Sequence, residues 1–342
     1  VEAMKISRAL RSALAVLAFL MMAGCGQQSS APSTQPTTTA PNAKPKKAYK
    51  DLIVGYVQLG AESEWRSANT ASVKEAAAQL GVELKFSDAQ QKQENQIKAI
   101  RSLIAQQVDV IGVAPLTETG WDDVFQEAKD AGIPIILVDR RANVPSDLYV
   151  TLMGSDFLEE GRNAARIMAE LTGGQANIVE LRGTSGSAPA NDRYKGFREI
   201  LKDYPGLKII DSQDGDFTVA KGQEVMEAFL KAHGKDITAV FSHNDDMSLG
   251  AIKAIEEYGL KPGVDIKIVS VDAARGAFEA MIAGKLNATV ECNPLLGPQF
   301  LELALKVVNG ESVPKWIPSK ESQFFASQGV DQLKQILSTR KY

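Results

Sequence analysis

From residue 51 onward the chain alternates two textures. Short runs of β-branched and other apolar residues, such as LIVGYVQL at 52–59, give way to stretches whose apolar residues recur every three or four positions. The first run reads as a buried strand, and the alanine-rich segment 66–80, closed by Gly81, reads as a helix with a glycine cap. A strand is expected at 82–86, and the helix after it sets Ile97, Ile100, Leu103 and Ile104 on one face. Strands at 108–113 and 133–138 flank a helix at 121–131. A second series predicts helix 156–171, strand 176–181, helix 191–202, strand 207–212, helix 219–232, strand 237–241, helix 246–258 and strand 266–271. Strands alternating with helices of this length form parallel sheets covered on both faces. Two successive series of four or five strands therefore predict two doubly wound α/β lobes.

The first fifty residues have a different pattern. Met4 reads as a start, Lys5, Arg8 and Arg11 as a positive region, and 13–22 as an apolar run. That run is too short to cross a bilayer, which needs about 20 residues, but it suits a signal peptide. It ends in Met22-Ala23-Gly24-Cys25, small residues before a cysteine, which resembles a lipobox. Residues 1–25 are thus expected to be a lipoprotein signal, with Cys25 the lipid-modified residue; a buried helix with an incidental cysteine is the competing account. Segment 26–49, rich in Ser, Thr, Pro, Gln and Ala, is expected to be a disordered tether, because it has too little apolar surface to offset its ordering entropy. Signal, anchor and tether place the remainder outside the cytoplasm.

Ligands in doubly wound sheets bind at the carboxyl ends of the strands. That rule selects Glu62, Trp65 and Arg66 after the first strand, Asp139 and Arg140 after 133–138, and Arg193 beyond 176–181. It also selects Asn244 after 237–241 and Asp272 after 266–271, with Phe217 following Asp216 as a second aromatic. Sugars need this mixture: each hydroxyl donates and accepts, so carboxylates pair with Arg and Asn, and an aromatic plate covers the C–H face. Each residue also has a plainer role. Asp139-Arg140 could be a surface ion pair, Asn244 a helix cap, Trp65 core, and Asp192-Arg193 a solvated loop pair.

The formal net charge of −4 provides no basic field for nucleic acid. Two cysteines and two histidines, without CxxC or HExxH spacing, argue against a metal site, and no cofactor is expected. Gly183-Thr184-Ser185-Gly186-Ser187 lacks both the lysine of a phosphate loop and the spacing of a nucleophile elbow. His243 beside acids has no partnered nucleophile and is expected to be structural; Cys292 is expected to be buried.

Longer segments carry a resemblance. They are Glu62-Ser63-Glu64-Trp65-Arg66, 88–96 (DAQQKQENQ), Thr119-Gly120-Trp121 and Val138-Asp139-Arg140. In the second half they are Asp192-Arg193 before Gly196-Phe197, Gly215-Asp216-Phe217-Thr218 and His243-Asn244-Asp245-Asp246-Met247. The chain from 52 to 342 resembles the type I periplasmic sugar-binding proteins, the ribose-binding family, and within it the members that take galactofuranose. The resemblance implies two Rossmann-like lobes joined by a three-segment hinge, one of 50–153 plus 292–319 and one of 154–291 plus 320–342. It implies that Asp139, Arg140, Arg193, Asn244 and Asp272 bind ring hydroxyls, that Trp65 stacks, and that Phe217 is an aromatic wall. Ribose binders carry two aromatics where this chain has Trp65-Arg66. With Glu62, that polar substitution points to a ligand with an extra hydroxyl arm, a hexofuranose with galactofuranose first.

The expected partners are a monosaccharide and an ABC import permease, with membrane contact through the lipid only and the chain a monomer. A transcription regulator would need a helix-turn-helix where the signal and tether stand. A carbohydrate enzyme would need two carboxylates about 5–9 Å apart across a bond. A chemotaxis or sensor-kinase role is compatible with binding.

Overall fold

The computed structural model describes residues 45–342. Strands β1 (Ile53–Gln58), β2 (Glu83–Asp88), β3 (Val110–Val113), β4 (Ile135–Val138) and β5 (Thr151–Gly154) alternate with helices α1 (Glu64–Leu80), α2 (Gln93–Ala105) and α3 (Asp122–Asp130). Helix α4 (Phe157–Thr172) opens a second series: β6 (Ala176–Arg182), α5 (Ala188–Leu201), β7 (Leu207–Asp214), α6 (Val219–His233), β8 (Ala239–Ser242), α7 (Asp245–Glu257), β9 (Lys267–Asp272), α8 (Arg275–Ile282) and β10 (Ala288–Glu291). Helix α9 (Gly297–Val308), β11 (Trp316–Pro318), β12 (Gln323–Phe325) and α10 (Val330–Thr339) complete the chain.

The strands form two six-stranded sheets, ordered β11-β5-β4-β3-β1-β2 and β12-β10-β9-β8-β6-β7. The first is wholly parallel; in the second only β12 runs antiparallel, against β10. This is the two-lobed, doubly wound architecture that the alternation predicts. Each sheet gains a sixth strand from the C-terminal segment, beyond the four or five expected.

Strand periodicity divides the cores. In the first sheet Val54, Tyr56, Ile136 and Val138 face α1 and α9, meeting Val73, Phe300 and Leu301, while Val57, Ile111, Val113 and Leu137 face α2 and α3, meeting Ile100, Leu103 and Phe125. In the second, Ile178, Phe241, Val269 and Val271 pack under α4 and α5, and Val179, Val240 and Ile268 under α6, α7 and α8. Because both faces are covered, the central strands read as continuous apolar runs rather than alternating ones.

Helix α5 begins at Ala188, with Pro189 in its first turn, three residues before the expected start at 191. Asp192 and Arg193 therefore stand on a helix, and Arg193 is buried, so the pair is not a solvated loop.

The chain passes between the sheets three times: after β5, after β10, and between β11 and β12. One carboxylate touches all three crossovers. Glu321, in the third, accepts hydrogen bonds from the Ser155 hydroxyl in the first and from the Asn293 N–H in the second, the latter at 3.0 Å. Among the described residues no helix is long and apolar enough to cross a membrane. Cys25, the expected signal 1–25 and the expected tether as far as 44 lie outside the described residues. The end of that tether is not disordered, since Lys46 pairs with Glu311, Lys47 with Asp109, and Tyr49–Asp51 forms a 3-10 turn.

Candidate functional site

The carboxyl ends of both sheets face one cavity. Glu62, Trp65, Arg66, Asp139, Arg140, Arg193, Phe217, Asn244 and Asp272, the residues singled out by strand-end position, all line it. Ser63, Phe157, Pro189 and Cys292 line it as well. Phe157 and Cys292 were missed because they follow β5 and β10, strands absent from the sequence reading, and Pro189 because it opens a helix. Twelve of these thirteen residues are buried, and Glu62, half-buried as a residue, keeps its side chain buried.

Local structure aims each side chain. Ser63 caps α1, its hydroxyl accepting from the Arg66 N–H at 3.1 Å, which turns Trp65 and Arg66 toward the cavity on the helix's first turn. Asn244 caps α7 by accepting from Met247 N–H at 3.0 Å and donates to the Phe217 carbonyl at 3.1 Å. The cap role and the cavity position thus coexist in one residue. The Trp65 indole N–H donates to the Cys292 carbonyl at 2.6 Å, and its ring packs with the second-lobe cluster of Phe157, Val290 and Cys292. Trp65 is therefore both core and cavity wall, bridging the lobes.

The charges are interleaved. Arg66 donates through Nε to Glu62 (3.2 Å), through Nη2 to Asp139 (2.7 Å) and through Nη1 to Gln58 (3.3 Å). Burial opposes its charge, but Asp139 and Glu62 outweigh that and hold the guanidinium above its ordinary range. Arg193 donates to Glu160 (2.7 Å) and to the His243 carbonyl (2.6 Å), and lies 3.7 Å from Asp272. Arg140 is less well matched: burial and neighbouring Arg66 lower it to about 10. Burial also raises Glu160 and, well above the usual carboxylate range, Asp272. Among the described residues three of these side chains keep a buried atom without a hydrogen-bond partner: Glu62 Oε2, Arg140 Nε and Glu160 Oε1. The first two belong to side chains that line the cavity, an acceptor and a donor taken from water and unsatisfied by protein, and a polyhydroxylated guest supplies a partner for each.

His243 lies beneath this layer. Its Nε2 is 3.2 Å from Glu180, its Nδ1 lies 3.4 Å from the Gly183 N–H, and burial lowers its pKa, so it is a neutral structural link as expected.

Contacts between the lobes seal the cavity. Glu64 at the start of α1 takes both sides: its N–H donates to Asp246 at 3.2 Å, and its carboxylate accepts from Gly276 N–H at 3.2 Å. At the rim Arg141 pairs with Asp192 and with Glu118 (2.6 Å), Glu118 accepts from the Asn191 amide, and Glu118 N–H donates to the Gly186 carbonyl at 2.9 Å.

A periplasmic binding protein domain model matches residues 54–312. The galactofuranose-binding protein YtfQ of Escherichia coli is 46% identical over 82% of this chain and 90% of its own length. A Mycobacterium smegmatis protein solved with β-D-fucofuranose is 51% identical, with a TM-score of 0.82 over 85% of this chain and 95% of that one. The periplasmic component of the arabinose ABC transporter of Shewanella sp. ANA-3, bound to α- and β-L-arabinofuranose, is 46% identical, with a TM-score of 0.81 over 85% of this chain and 99% of that one. With its two doubly wound lobes, three crossovers and matching sequence, the chain belongs to the periplasmic binding protein family, type I.

Proposed function

We propose that the protein is the solute-binding component of an ABC importer and that it encloses one neutral monosaccharide in furanose form, galactofuranose first. The observation that carries the reading is the cavity between the sheets, walled from both lobes by three arginines, the carboxylates Glu62, Asp139 and Asp272 and three aromatics, with a buried acceptor on Glu62 and a buried donor on Arg140 left open. The relatives named for furanose sugars support the ring form. On this reading Asp139, Arg140, Arg193, Asn244 and Asp272 hold ring hydroxyls, Trp65 and Phe217 cover the apolar faces, and the Glu62–Arg66 corner receives the exocyclic arm. Each carboxylate nearest the cavity is already committed to an arginine, which favours binding over catalysis. Family membership supports an extracytoplasmic location, and the sequence before residue 26 supports a lipid anchor at Cys25; Cys25→Ser should then leave the protein off the membrane in fractionation. The lobes are proposed to divide at the crossovers, 50–153 plus 292–319 and 154–291 plus 320–342, with the chain a monomer that presents the loaded form to its permease.

Calorimetry with D-galactose, L-arabinose, D-fucose and D-ribose tests the ligand. Free galactose holds little furanose, so its apparent affinity is reduced by that fraction, and a locked galactofuranose analogue should bind tighter. Ribose binding more tightly than every hexose would overturn the hexofuranose assignment, and absence of binding to all of them would overturn the sugar reading.

A further inference from the structure

We propose that Gln58 and Asn69, neither of which lines the cavity, are positioning residues that orient Arg66 and thereby decide which oxygen of Glu62 faces the sugar. This inference rests on the functional reading above and deepens it.

Gln58 ends β1 and is fully buried. Its amide is saturated. Oε1 accepts from Leu59 N–H (3.1 Å) and Arg66 Nη1 (3.3 Å), and Nε2 donates to Asn69 Oδ1 (3.0 Å) and Thr70 Oγ1 (3.1 Å). Asn69, also fully buried, accepts from the Tyr56 hydroxyl at 3.2 Å and donates to the Pro294 carbonyl at 3.0 Å, in the second crossover. Neither amide can be flipped. Turning Asn69 would set its NH2 against the amide donor of Gln58 and leave the Pro294 carbonyl unpaired, and turning Gln58 would set an NH2 against the guanidinium.

The consequence reaches Arg66. A guanidinium is planar, so fixing Nη1 on Gln58 leaves one rotation that presents Nε to Glu62 and Nη2 to Asp139 together. The same oxygen, Glu62 Oε1, also lies 3.6 Å from Arg140, and Oε2 is the atom left without a partner. Without the Gln58 acceptor the guanidinium keeps its two carboxylate partners and its stacking on Trp65, 4.5 Å from the ring, but Nη1 loses its fixed point and the plane can rotate about the stacking axis, so that the two pairs need no longer form together. Gln58, Arg66, Glu62 and Asp139 all stand on the first sheet's strands or the segments that follow them, so the clamp is independent of lobe closure.

The test is a double-mutant cycle in affinity, measured by calorimetry with D-galactose and L-arabinose and accompanied by thermal melts. Gln58→Leu should weaken binding roughly tenfold in the wild-type background and less than twofold when Arg66 is already Met, because a positioning residue acts only through its client. Gln58→Glu keeps the acceptor for Arg66 and should recover most of the loss. Gln58→Met serves if Gln58→Leu does not fold. Equal losses in both backgrounds, or Gln58→Glu as damaging as Gln58→Leu, would overturn the proposal. A crystal structure of the Gln58 variant needs no ligand: Arg66 retaining both carboxylate pairs would overturn the proposal, and Arg66 rotated off them would support it. If wild type binds neither sugar, the functional reading fails separately and this structural arm still decides.

Discussion

Three of the cavity's residues hold their backbones at positive φ: Asp139 at 67°, Phe217 at 62° and Asp272 at 122°. Such conformations cost of order 1–3 kcal/mol for a non-glycine residue and persist where surrounding contacts over-determine them. Phe217 shows how. Its ring lies where a Cβ on Gly183 would stand, with Cζ 1.8 Å from that position, so the wall exists because residue 183 has no side chain. Gly183→Ala should displace the ring and weaken sugar binding roughly tenfold or more by calorimetry, with a smaller change in melting temperature than a core cavity would give. The cavity residues were legible in the sequence where they follow strands, because sheet geometry fixes what a strand end faces. The cavity positions of Phe157 and Cys292, and the role of Gln58, were not. The first two follow β5 and β10, four-residue strands too short to carry a clear period, and Gln58 looks like the last residue of an ordinary strand.

Elements hold the site through buried polar links as much as through apolar packing. Glu180 on β6 is fully buried, donated to by Arg198 of α5 through two bonds of 2.8 Å, by the Ser212 hydroxyl of β7 and by His243 after β8. Burial pushes this carboxyl up, but His243 and Arg198 outweigh it and bring it to about 2. Removing one partner of such a network strands the rest, at about 3–5 kcal/mol. Glu180→Leu should therefore lower stability by that order in denaturant melts, and it should loosen α5, the helix that carries Arg193. Helices and central strands were legible from period and capping, as Asn244 and Gly81 show, whereas the Ser63 cap, which starts α1 at Glu64 and not at 66, was not. The three-residue β11 and β12 were not, because so short a run carries no period and β12 owes its place to pairing with β10.

At the scale of the molecule, closure is held by few contacts, and one of them lies outside the cavity wall. Arg141→Ala removes the rim pairs with Asp192 and Glu118 and should speed sugar dissociation several-fold while leaving the order of preference among sugars unchanged, as stopped-flow measurements can show. The crossovers add a dependence on pH. Burial and the nearby Glu160 raise Glu321 to about 8 from 4.5, and burial raises Asp246 to about 7 from 3.8. An acid raised on folding is held more easily in its neutral form, so its contribution is full below its ordinary pKa and is lost as pH climbs through the raised value. Thermal stability should thus decline between about pH 4.5 and 8. Glu321→Gln, which can still accept from Ser155 and Asn293, should flatten that decline and raise the melting temperature at pH 8 by roughly 2–4 °C per kcal/mol recovered. A melting curve equally pH-dependent in the variant would count against the assignment.

Twelve of the thirteen residues lining the cavity are buried and the thirteenth, Glu62, has a buried side chain, and that has a meaning beyond affinity. A sugar still joined to a polymer carries a glycosidic bond that would have to pass through a shut wall. The closed protein on this reading can count only free single units, one per chain. An oligosaccharide touching the open lobes would prop them apart and never present the loaded shape to a permease. Supply then depends on a hydrolase outside the cell that trims its substrate to the last residue, and the pace of import follows the chain ends that such an enzyme releases.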